Sequence, residues 1–589
     1  MHRTAIRCAS ACELLCRKAF PLAGVSRASP LRWNTKTSFA TGPRSSVRDE
    51  KLVPNRSPLR RHDDTIYALS TAEGKAGIAV IRISGPSCEH IYRGLCPDKS
   101  PPRPRFATVR KLYHPDSGGS EILDSAALVL YFPGPKTVTG DDVLELHVHG
   151  GSATVKAVLS AIPRCASAGH IRYAEPGEFT RRAFFNGRLD LAQVEALSEM
   201  LSAETEQQRR AAVRGSSGSL GRTYDDWRRK LLQARAEMEA LIDFSEDQHF
   251  DESPASLLGN VTKQVREILQ GIEMHELASE RSELLRSGIK IALLGPPNVG
   301  KSSLMNQIVG REASIVSGEA GTTRDIIEAN LDIRGYLCTF ADTAGFRAGT
   351  LGHELSGTAQ SGAKIGTIEE EGIRRARAKA VQSDVIIVLV AVEQSESGSY
   401  EIRYDQETLE LAVGCQERIV VANKTDVVSE GELRILVDDF VDKVLKKVVG
   451  LEAVQPVLIS CKEASIQSSD KKDPGGVRRV VDRLVSSFKS MTSLPTPLQD
   501  LLGVTERQRQ LLVECRGHLE NYIDTAKSVG GDDESEIQDG DPSHDVDITM
   551  TAEHLRYAAS CLGRITGRGE TGDVEEILGV IFEKFCVGK

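Results

Sequence analysis

The residues with the clearest chemical capacity lie in one nine-residue stretch, residues 295–303, which reads GPPNVGKSS. A strand-like apolar run precedes this stretch and a helical pattern follows it. In that context the spacing G-x-x-x-x-G-K-S is that of a P-loop, whose glycines let several backbone N–H groups converge on a phosphate. The stretch therefore predicts a nucleotide site in which Lys301 reaches the β and γ phosphates and Ser302 binds Mg²⁺.

Three later segments indicate which base the nucleotide carries. Residues 342–345 match D-x-x-G, whose Asp belongs to the Mg²⁺ shell and whose Gly amide senses the γ-phosphate. Residues 423–426 match N-K-x-D, and the Asp carboxylate can accept from the N1–H and 2-amino groups that guanine has and adenine lacks. Residues 460–462 fit the loop behind the guanine O6. In this order, each after a strand-like run, the segments predict GTP rather than ATP.

The segment 321–325, which reads GTTRD, is placed where a switch loop would offer Thr323 to Mg²⁺. Phe346 follows the D-x-x-G segment, at the position where Ras-like enzymes have a water-orienting Gln. Because an apolar side chain cannot orient water, another group must assist hydrolysis, and Asn298 in the P-loop is a candidate. The predicted GTP contacts are Asn298, Val299, Gly300, Lys301, Ser302, Ser303, Thr322, Thr323, Asp342, Thr343, Ala344, Gly345, Asn423, Lys424, Asp426, Ser460, Cys461 and Lys462.

Length and composition limit the class of protein. A chain of 589 residues with 40% hydrophobic and 27% charged residues predicts three or more globular domains. Its longest apolar run, residues 385–392, is too short to span a membrane. The net charge of −9 means that a nucleic-acid partner would need a local basic patch. Twelve cysteines without C-x-x-C or zinc-ligand spacing are typical of a reducing compartment.

The first 48 residues contain many arginines and a single acidic residue, Glu13, which predicts a mitochondrial transit peptide. The alternative is a disordered basic tail. Strand-like runs follow at residues 77–83, 125–132 and 143–149, and the last carries His147 and His149 on its polar face. Alternate histidines on such a strand could bind a metal but more often face solvent or a pocket. Helical patterns, with Leu191, Val194, Leu197 and Leu201 on one face, then continue to about residue 285.

Together these motifs resemble the MnmE (TrmE) family of tRNA-modification GTPases. The shared segments are GPPNVGKSS, GTTRD, DTAG at 342–345 and FCVGK at 585–589, with PGEFT at 176–180 and NGRLDLAQ at 186–193. The resemblance extends from Asp63 to Lys589, and the transit-like start makes the chain similar to mitochondrial members. It implies a multidomain α/β + α protein, in which a P-loop GTPase domain is inserted into an α-helical domain and follows an α+β folate-binding N-terminal domain.

The resemblance also implies domain boundaries. The order is a transit peptide or disordered segment, 1–60; the N-terminal formyl-tetrahydrofolate-binding and dimerisation domain, 61–182; the first segment of the helical domain, 183–286; the G domain, 287–489, with an insertion at 347–365; and the second segment of the helical domain, 490–589, with an acidic linker at 528–547 and the FCVGK motif.

Several residue roles are likewise implied by the resemblance. Folate contacts match Arg82, Glu145, Arg188 and Lys589, with Arg188 standing where a Lys is common. K⁺ ligands match Asn298, Ser317, Glu319 and Thr322. Ser317 and Glu319 depart from the usual residues, which matters little if their backbone carbonyls bind. The water-orienting Glu matches Glu369, with Glu370 or Glu371 as alternatives because of the insertion. Cys586, which physical reasoning alone treats as a buried small residue, becomes a candidate active-site thiol.

The function implied is a K⁺-stimulated GTPase, activated as a homodimer, in the mitochondrial matrix. With an FAD-dependent MnmG-type partner it would modify C5 of the wobble uridine of mitochondrial tRNAs. The one-carbon unit would come from 5-formyl- or methylene-tetrahydrofolate, and the amine from glycine or taurine, which gives carboxymethylaminomethyl- or taurinomethyl-type products. One alternative is a ribosome-assembly GTPase of the Era or Der kind. The other is a folate-dependent one-carbon enzyme in which the G domain is only regulatory.

Overall fold

The computed structural model describes residues 64–165, 170–243, 254–315, 329–340, 380–395, 398–466, 473–527 and 548–568, together with residues 579, 581, 582, 585 and 588. All of these belong to the unit Arg61–Lys589. The predicted transit segment, the insertion at 347–365 and the acidic linker at 528–547 lie outside the described residues.

Within the described residues, the strands and helices form three blocks, two built on β-sheets and one helical. The strands are β1 Thr65–Leu69, β2 Ile78–Ser84, β3 Thr108–Tyr113, β4 Ile122–Phe132, β5 Val143–His149, β6 Ile171–Tyr173, β7 Ile289–Leu294, β8 Ala313–Ile315, β9 Ala329–Ile333, β10 Tyr336–Phe340, β11 Val385–Gln394, β12 Tyr400–Arg403, β13 Glu417–Asn423 and β14 Val457–Leu458. The α-helices are α1 Cys88–Leu95, α2 Ser152–Ala161, α3 Glu178–Phe185, α4 Leu191–Ser202, α5 Glu206–Gly215, α6 Ser219–Asp243, α7 Pro254–Ser287, α8 Lys301–Arg311, α9 Gln406–Val413, α10 Glu430–Lys443, α11 Cys461–Ser465, α12 Val477–Thr492, α13 Glu506–Lys527 and α14 Ile548–Thr566.

The first block is a six-stranded sheet in the order β3-β4-β5-β2-β1-β6, antiparallel except for the β1–β6 pair. In β5 the residues Leu144, Leu146 and Val148 are buried, whereas the alternate residues are less so, as the period of two predicts. Helices α1 and α2 pack on the buried face. The opposite face is left to carry polar side chains, among them Glu145.

A buried ion-pair cluster joins helix α3 to strand β1. Arg182 is fully buried, and its Nη2 donates to Asp64 Oδ1 at 2.8 Å. Glu178, from the PGEFT segment, accepts from Arg172 Nη1 at 2.9 Å and lies 3.3 Å from Arg182. Burial opposes ionisation of Glu178, but the hydrogen bond from Arg172 prevails and lowers its pKa. The segment therefore fixes α3 against the sheet, because buried charges require partners.

The helical block is a bundle in which helices from before and after the nucleotide-type sheet pack together. Helices α6 and α7 share one core with α13 and α14, through residues such as Tyr224, Leu512 and Leu562. The sheet that holds the P-loop is thus inserted into a helical domain, as predicted. The predicted apolar face on α4 is only partly buried: Leu191 and Val194 are in the core, but Leu201 is exposed.

The inserted block has the strand order β14-β13-β11-β7-β10-β9-β8, with β12 beside β11. Strands β7, β10, β11, β13 and β14 run parallel, and β8, β9 and β12 are antiparallel to their neighbours. Every residue from 385 to 392 is buried. This is typical of a central parallel strand covered on both faces. Helices α8 and α12 lie in the core on one side, and α9 and α10 in the core on the other.

Phe582 and Phe585 pack against helices α3 and α4 and the turn before them. Phe582 and Phe585 form a buried cluster with Leu191 and Val194. Gly177 has a φ of +66°, and a Cβ there would lie 2.7 Å from the carbonyl oxygen of Phe582. The close approach therefore requires glycine at this position.

Candidate functional site

The P-loop connects β7 to α8 and is held by backbone geometry that its glycines supply. Gly295 has a φ of +144°, and a Cβ there would lie 2.2 Å from the Leu389 carbonyl oxygen of the neighbouring strand. Gly300 has a φ of +100° and immediately precedes α8. Helix α8 starts at Lys301, within the motif and not after it as the sequence pattern predicted, so its unpaired N–H groups begin directly at the loop. A helix start of this kind binds anions.

The Lys301 side chain bends back over the P-loop. Its Nζ donates to the carbonyl oxygens of Gly295 at 2.6 Å and Pro296 at 2.7 Å. Burial lowers the pKa of the Lys301 amine, since the positive charge lacks a carboxylate partner among the described residues. A phosphate at the loop would supply the missing negative charge. The amine is thus already positioned for an anion.

Asn423 ties the base-recognition segments to the P-loop. Its Nδ2 donates to the Val299 carbonyl at 2.8 Å, and its Oδ1 accepts from the Cys461 N–H at 3.1 Å. A Cβ on Gly300 would lie 2.3 Å from that Nδ2. The motif G-K-S therefore needs its glycine for the Asn423 contact as well as for φ. Residues that are far apart in sequence are fixed as one surface.

Asp426 is oriented at the rim of this surface. Its Oδ1 accepts from the Ser460 hydroxyl at 2.7 Å, and its Oδ2 lies 3.7 Å from the Lys462 amine. One hydroxyl bond leaves the carboxylate with acceptor capacity for two further donors. This arrangement matches what recognition of the guanine N1–H and 2-amino group needs.

Glu393 is a residue that sequence reasoning missed. It lies at the end of β11, and its carboxylate accepts from Lys424 at 2.6 Å and Arg403 at 2.9 Å. The hydrogen bond from Lys424 lowers the pKa of Glu393, so the pair stays charged. Lys424 itself adopts a φ of +61°. The only signal in the sequence was an acidic residue that directly follows eight apolar ones.

The other predicted nucleotide and ion residues are divided between the P-loop and segments that the structure does not describe. Ser302 and Ser303 belong to the first turn of α8, and Asn298 has a φ of +65° in the loop. The residues without a description are Ser317, Glu319, Thr322, Thr323, Asp342, Thr343, Ala344, Gly345, Glu369, Cys586 and Lys589. Their roles stay predictions.

A second candidate site lies on the first sheet. Arg82 and Glu145 are cross-strand partners of β2 and β5, and Arg82 Nε donates to Glu145 Oε1 at 3.0 Å. Glu145 and Arg188 line one cavity of about 290 Å³. The structure therefore brings together three of the four residues matched to folate contacts. The cavity lining consists of Arg105, Phe132, Lys136, Thr137, Val138, Val143, Glu145 and Arg188.

The two histidines on β5 have other partners. His149 Nδ1 lies 2.9 Å from Asp124 Oδ1, and His147 Nε2 lies 3.4 Å from Glu145 Oε2. Each ring thus lies beside a different carboxylate. This geometry does not support a metal ion bound by both histidines. In the described segments, no helix has the length and apolarity needed to cross a membrane.

Two family models match the chain. The model "GTP-binding protein TrmE N-terminus" matches residues 65–188, and "MnmE helical domain" matches residues 191–586. A mitochondrial 5-taurinomethyluridine tRNA synthase subunit, GTPB3 of Danio rerio, is 38% identical over 90% of this chain and 93% of the relative.

Two further relatives have comparable similarity. The tRNA modification GTPase MnmE of Parvibaculum lavamentivorans is 38% identical over 89% of this chain and 100% of its own length. The tRNA modification GTPase mss1, mitochondrial, of Schizosaccharomyces pombe is 36% identical over 89% and 95%. Among solved structures, the G domain of the T. maritima FeoB iron transporter has 19% identity, covering 34% of this chain and 98% of its own, with a TM-score of 0.19 that is too low to bear on the fold. On the family models and the full-length relatives, the chain belongs to the MnmE (TrmE) family of tRNA modification GTPases.

Proposed function

We propose that this GTPase works with an FAD-dependent, MnmG-type partner to modify C5 of the wobble uridine of mitochondrial tRNAs. The main support for GTP binding is the surface in which Asn423 joins the P-loop to the loop of Ser460, whose hydroxyl in turn holds Asp426. The proposed tRNA modification is supported by family membership and by the names of the relatives. Glycine and taurine both remain candidate amines, and the GTPB3 relatives favour taurine.

The test is analysis of the wobble nucleoside in mitochondrial tRNA from a deletion strain. Loss of the modified uridine, restored by the intact gene and not by Lys301→Ala, is the expected result. The Lys301 substitution removes the cation nearest the phosphates, so tight nucleotide binding should be lost. Normal wobble uridine in the deletion strain would refute the proposal.

Two rival functions predict different outcomes of the same test. A ribosome-assembly GTPase of the Era or Der kind leaves wobble uridine intact and normally has an RNA-binding domain after the G domain. Here the described helices after α12 pack into the bundle with α6 and α7. A folate enzyme with a regulatory G domain would tolerate Lys301→Ala to some extent. Neither rival has an observation in its favour.

Mg²⁺ and K⁺ are the proposed ions of the nucleotide site. Ser302, at the start of α8, and Thr323 would bind Mg²⁺, which neutralises phosphate charge when bound. Asn298, Ser317, Glu319 and Thr322 would hold K⁺. The Asn298 side chain is exposed in the loop, and amide oxygens suit a hard cation. Glu369 would orient the attacking water, and a second G domain facing the first would complete the site.

The cavity on the first sheet is the proposed folate pocket. Arg82, Glu145 and Arg188 supply donors and an acceptor beside the apolar side chains of Phe132 and Val143. This mixture suits a flat heterocycle with polar edges. Lys589 is the fourth proposed contact. The full chain should bind 5-formyl-tetrahydrofolate without GTP, and calorimetry without heat at saturating ligand would count against the pocket.

Cys586 is the proposed reactive thiol for one-carbon transfer. Its neighbour in sequence, Phe585, is buried in the cluster that includes Leu191 and Val194 of α4. Cys586→Ser should leave GTP hydrolysis near normal and abolish tRNA modification. A Ser variant that still modifies tRNA would return Cys586 to a packing role.

The proposed location is the mitochondrial matrix, where the tRNA substrates would be. Support comes from the arginine-rich, acid-poor start of the sequence and from relatives whose names include mitochondrial. A fluorescent protein fused after residues 1–60 should reach the matrix. Cytosolic fluorescence would contradict the proposal and favour a disordered basic tail.

A further inference from the structure

The mouth of the cavity on the first sheet holds more positive than negative charge. Three cations line it, Arg105, Lys136 and Arg188, against one carboxylate, Glu145. That carboxylate already accepts from Arg82 at 3.0 Å. Within residues 64–165 and the other described segments, no ion pair joins Arg105, Lys136 or Arg188 to a carboxylate. An anionic ligand is the simplest group that would balance these charges.

The two arginines of the mouth are held in place by the same loop. Arg105 Nη2 donates to the Lys136 carbonyl at 2.7 Å, and Arg188 Nε donates to the next carbonyl, that of Thr137, at 2.9 Å. Their remaining N–H groups are left for a ligand. Because the guanidinium groups are fixed beforehand, less side-chain entropy is lost when a carboxylate binds.

Arg105 also has an unusual backbone. Its φ is +64°, and its N–H donates to the Tyr131 carbonyl at 2.8 Å. Its guanidinium carbon lies 5.8 Å from the centre of the Phe132 ring. A non-glycine residue with such a φ costs free energy, and such residues are frequent in binding sites. The backbone and the ring both direct Arg105 to the cavity.

The size of the cavity determines which end of a ligand would meet these cations. At about 290 Å³ it is at the lower limit of pockets for drug-sized molecules, so a folate would extend beyond it. The apolar side chains favour the heterocycle inside. The glutamate end of the molecule would then lie at the mouth, where Arg105 and Lys136 are exposed to solvent.

We propose that Arg105 and Lys136 select folates with an oligo-γ-glutamate tail, because each added glutamate brings one more carboxylate to the mouth. This inference rests on the folate function proposed above. It assigns to the two residues a role in substrate specificity, which is separate from the contacts of Arg82, Glu145 and Arg188. The recognised group is a chain of carboxylates, and binding should weaken with salt.

The test compares two ligands by calorimetry on the full chain, 5-formyl-tetrahydrofolate as the monoglutamate and as the pentaglutamate. We expect the pentaglutamate to bind about tenfold more tightly at low salt, as two exposed ion pairs allow, and this ratio to approach one at high salt. The double substitution Arg105→Ala, Lys136→Ala should bring the ratio close to one. The matched control is Lys156→Ala, an exposed lysine on α2 outside the cavity lining, which should keep the ratio.

The outcomes separate the inference from the function on which it rests. Equal affinities for the two ligands in the unaltered chain would overturn the inference and leave the folate pocket intact. A tenfold ratio that survives the double substitution would overturn the assignment to Arg105 and Lys136. If neither ligand binds, the proposed folate function itself fails. A double variant that instead loses affinity for tRNA, with an unchanged ligand ratio, would assign the cations to the nucleic acid and refute the inference.

Discussion

At the scale of single residues, base recognition depends on a carboxylate that is already oriented. Ser460 donates to one oxygen of Asp426, and the same loop receives Asn423 through the Cys461 N–H. Little rearrangement is then needed when guanine enters. Lys424 is fixed in a comparable way by Glu393. Specificity in this site therefore comes from side chains that hold one another before the ligand arrives.

Asp426→Asn should change the preferred base from guanine to xanthine. An amide cannot accept from both guanine donors, so GTP affinity should fall about 10²–10³-fold, as expected for lost hydrogen bonds to a charged group. The new amide N–H can donate to a 2-oxo group, so xanthosine triphosphate should bind better than GTP. Competition against a fluorescent nucleotide measures both. Asp439→Asn, an exposed acid on α10, is the control, and unchanged GTP affinity in the Asp426 variant would contradict the assignment.

At the scale of elements, helices α6 and α7 are joined by a buried polar pair. The Tyr224 hydroxyl lies 2.9 Å from His275 Nδ1, and both residues are buried. Burial lowers the pKa of His275 to about 3. The imidazole is therefore neutral in the folded state at any pH at which the protein works. A neutral ring and a hydroxyl share one hydrogen bond here, whose donor is set by the tautomer of His275.

This pair should make the bundle sensitive to acid. The unfolded chain takes up a proton near pH 6.5 and the folded chain near 3, so the stabilising free energy is present above pH 6.5 and is lost as pH falls towards 3. Between pH 7.5 and 5.5 the loss should be about 1.4 kcal/mol. Urea unfolding followed by Trp227 fluorescence in a Trp33→Phe background measures it. His275→Gln should flatten the pH dependence, whereas exposed His90→Gln should not; equal curves would exclude His275 as the cause.

A second element-scale contact joins α4 to the helices that follow the inserted sheet. The Glu195 carboxylate accepts from Gln508 at 2.6 Å and from Arg507 at 2.5 Å, and Arg507 also donates to the carbonyls of Arg564 and Ile565. One buried acid thus connects α4, α13 and α14. Removing the carboxylate leaves the Nε–H of Arg507 and the side-chain amide of the buried Gln508 without an acceptor.

Glu195→Ala should destabilise the bundle by about 3–5 kcal/mol, the usual cost of removing one member of a buried ion pair. Chemical denaturation measures the change, and faster amide exchange in α13 would locate it. Glu553→Gln, on the surface of α14, serves as the control and should change stability by less than about 1 kcal/mol. A Glu195 variant as stable as its control would show that the network adds nothing.

Local patterns in the sequence predicted strands and helices, but they did not predict the side-chain contacts between distant segments. Strand β5 has the predicted bounds, since strict alternation defines it, and β7 is the apolar run expected directly before the P-loop. Strand β4 begins three residues earlier than predicted, and β2 is shifted by one, because ends depend on neighbours. Pairs such as Glu393–Lys424 and Glu195–Arg507 join residues that no local pattern relates. The motifs located the nucleotide site, but not the side chains that orient it.

At the scale of the whole molecule, GTP hydrolysis should depend on K⁺ and on a second copy. Phe346 cannot orient water, and a cation held by Asn298 would offset charge between the β and γ phosphates. Hydrolysis should fall by about 10³-fold when Na⁺ replaces K⁺, by analogy with an arginine finger. The rate per molecule should also rise with protein concentration. Phosphate release at matched ionic strength measures both effects.

Asn298→Gly is the informative variant for this prediction. Glycine tolerates the φ of +65° without strain and removes the whole side chain, including its amide oxygen, so the backbone of the loop should be preserved. The K⁺ response should disappear while GTP affinity stays. Glu369→Ala should slow hydrolysis with GTP affinity unchanged. Equal rates in Na⁺ and K⁺ for the unaltered chain would refute the mechanism and indicate an arginine supplied from elsewhere.

The contacts of Phe582, Phe585 and Gly588 with earlier parts of the chain set an order of events during synthesis. The Ser70 hydroxyl donates to the Gly588 carbonyl at 3.0 Å, a bond that spans 518 residues. At 5–20 residues per second, a ribosome needs roughly half a minute to two minutes to make the second partner after the first. Until then Leu191 and Val194 lack the phenylalanines that cover them. A chain that ends before residue 582 therefore keeps this apolar surface uncovered, and such a surface favours aggregation and binding by chaperones.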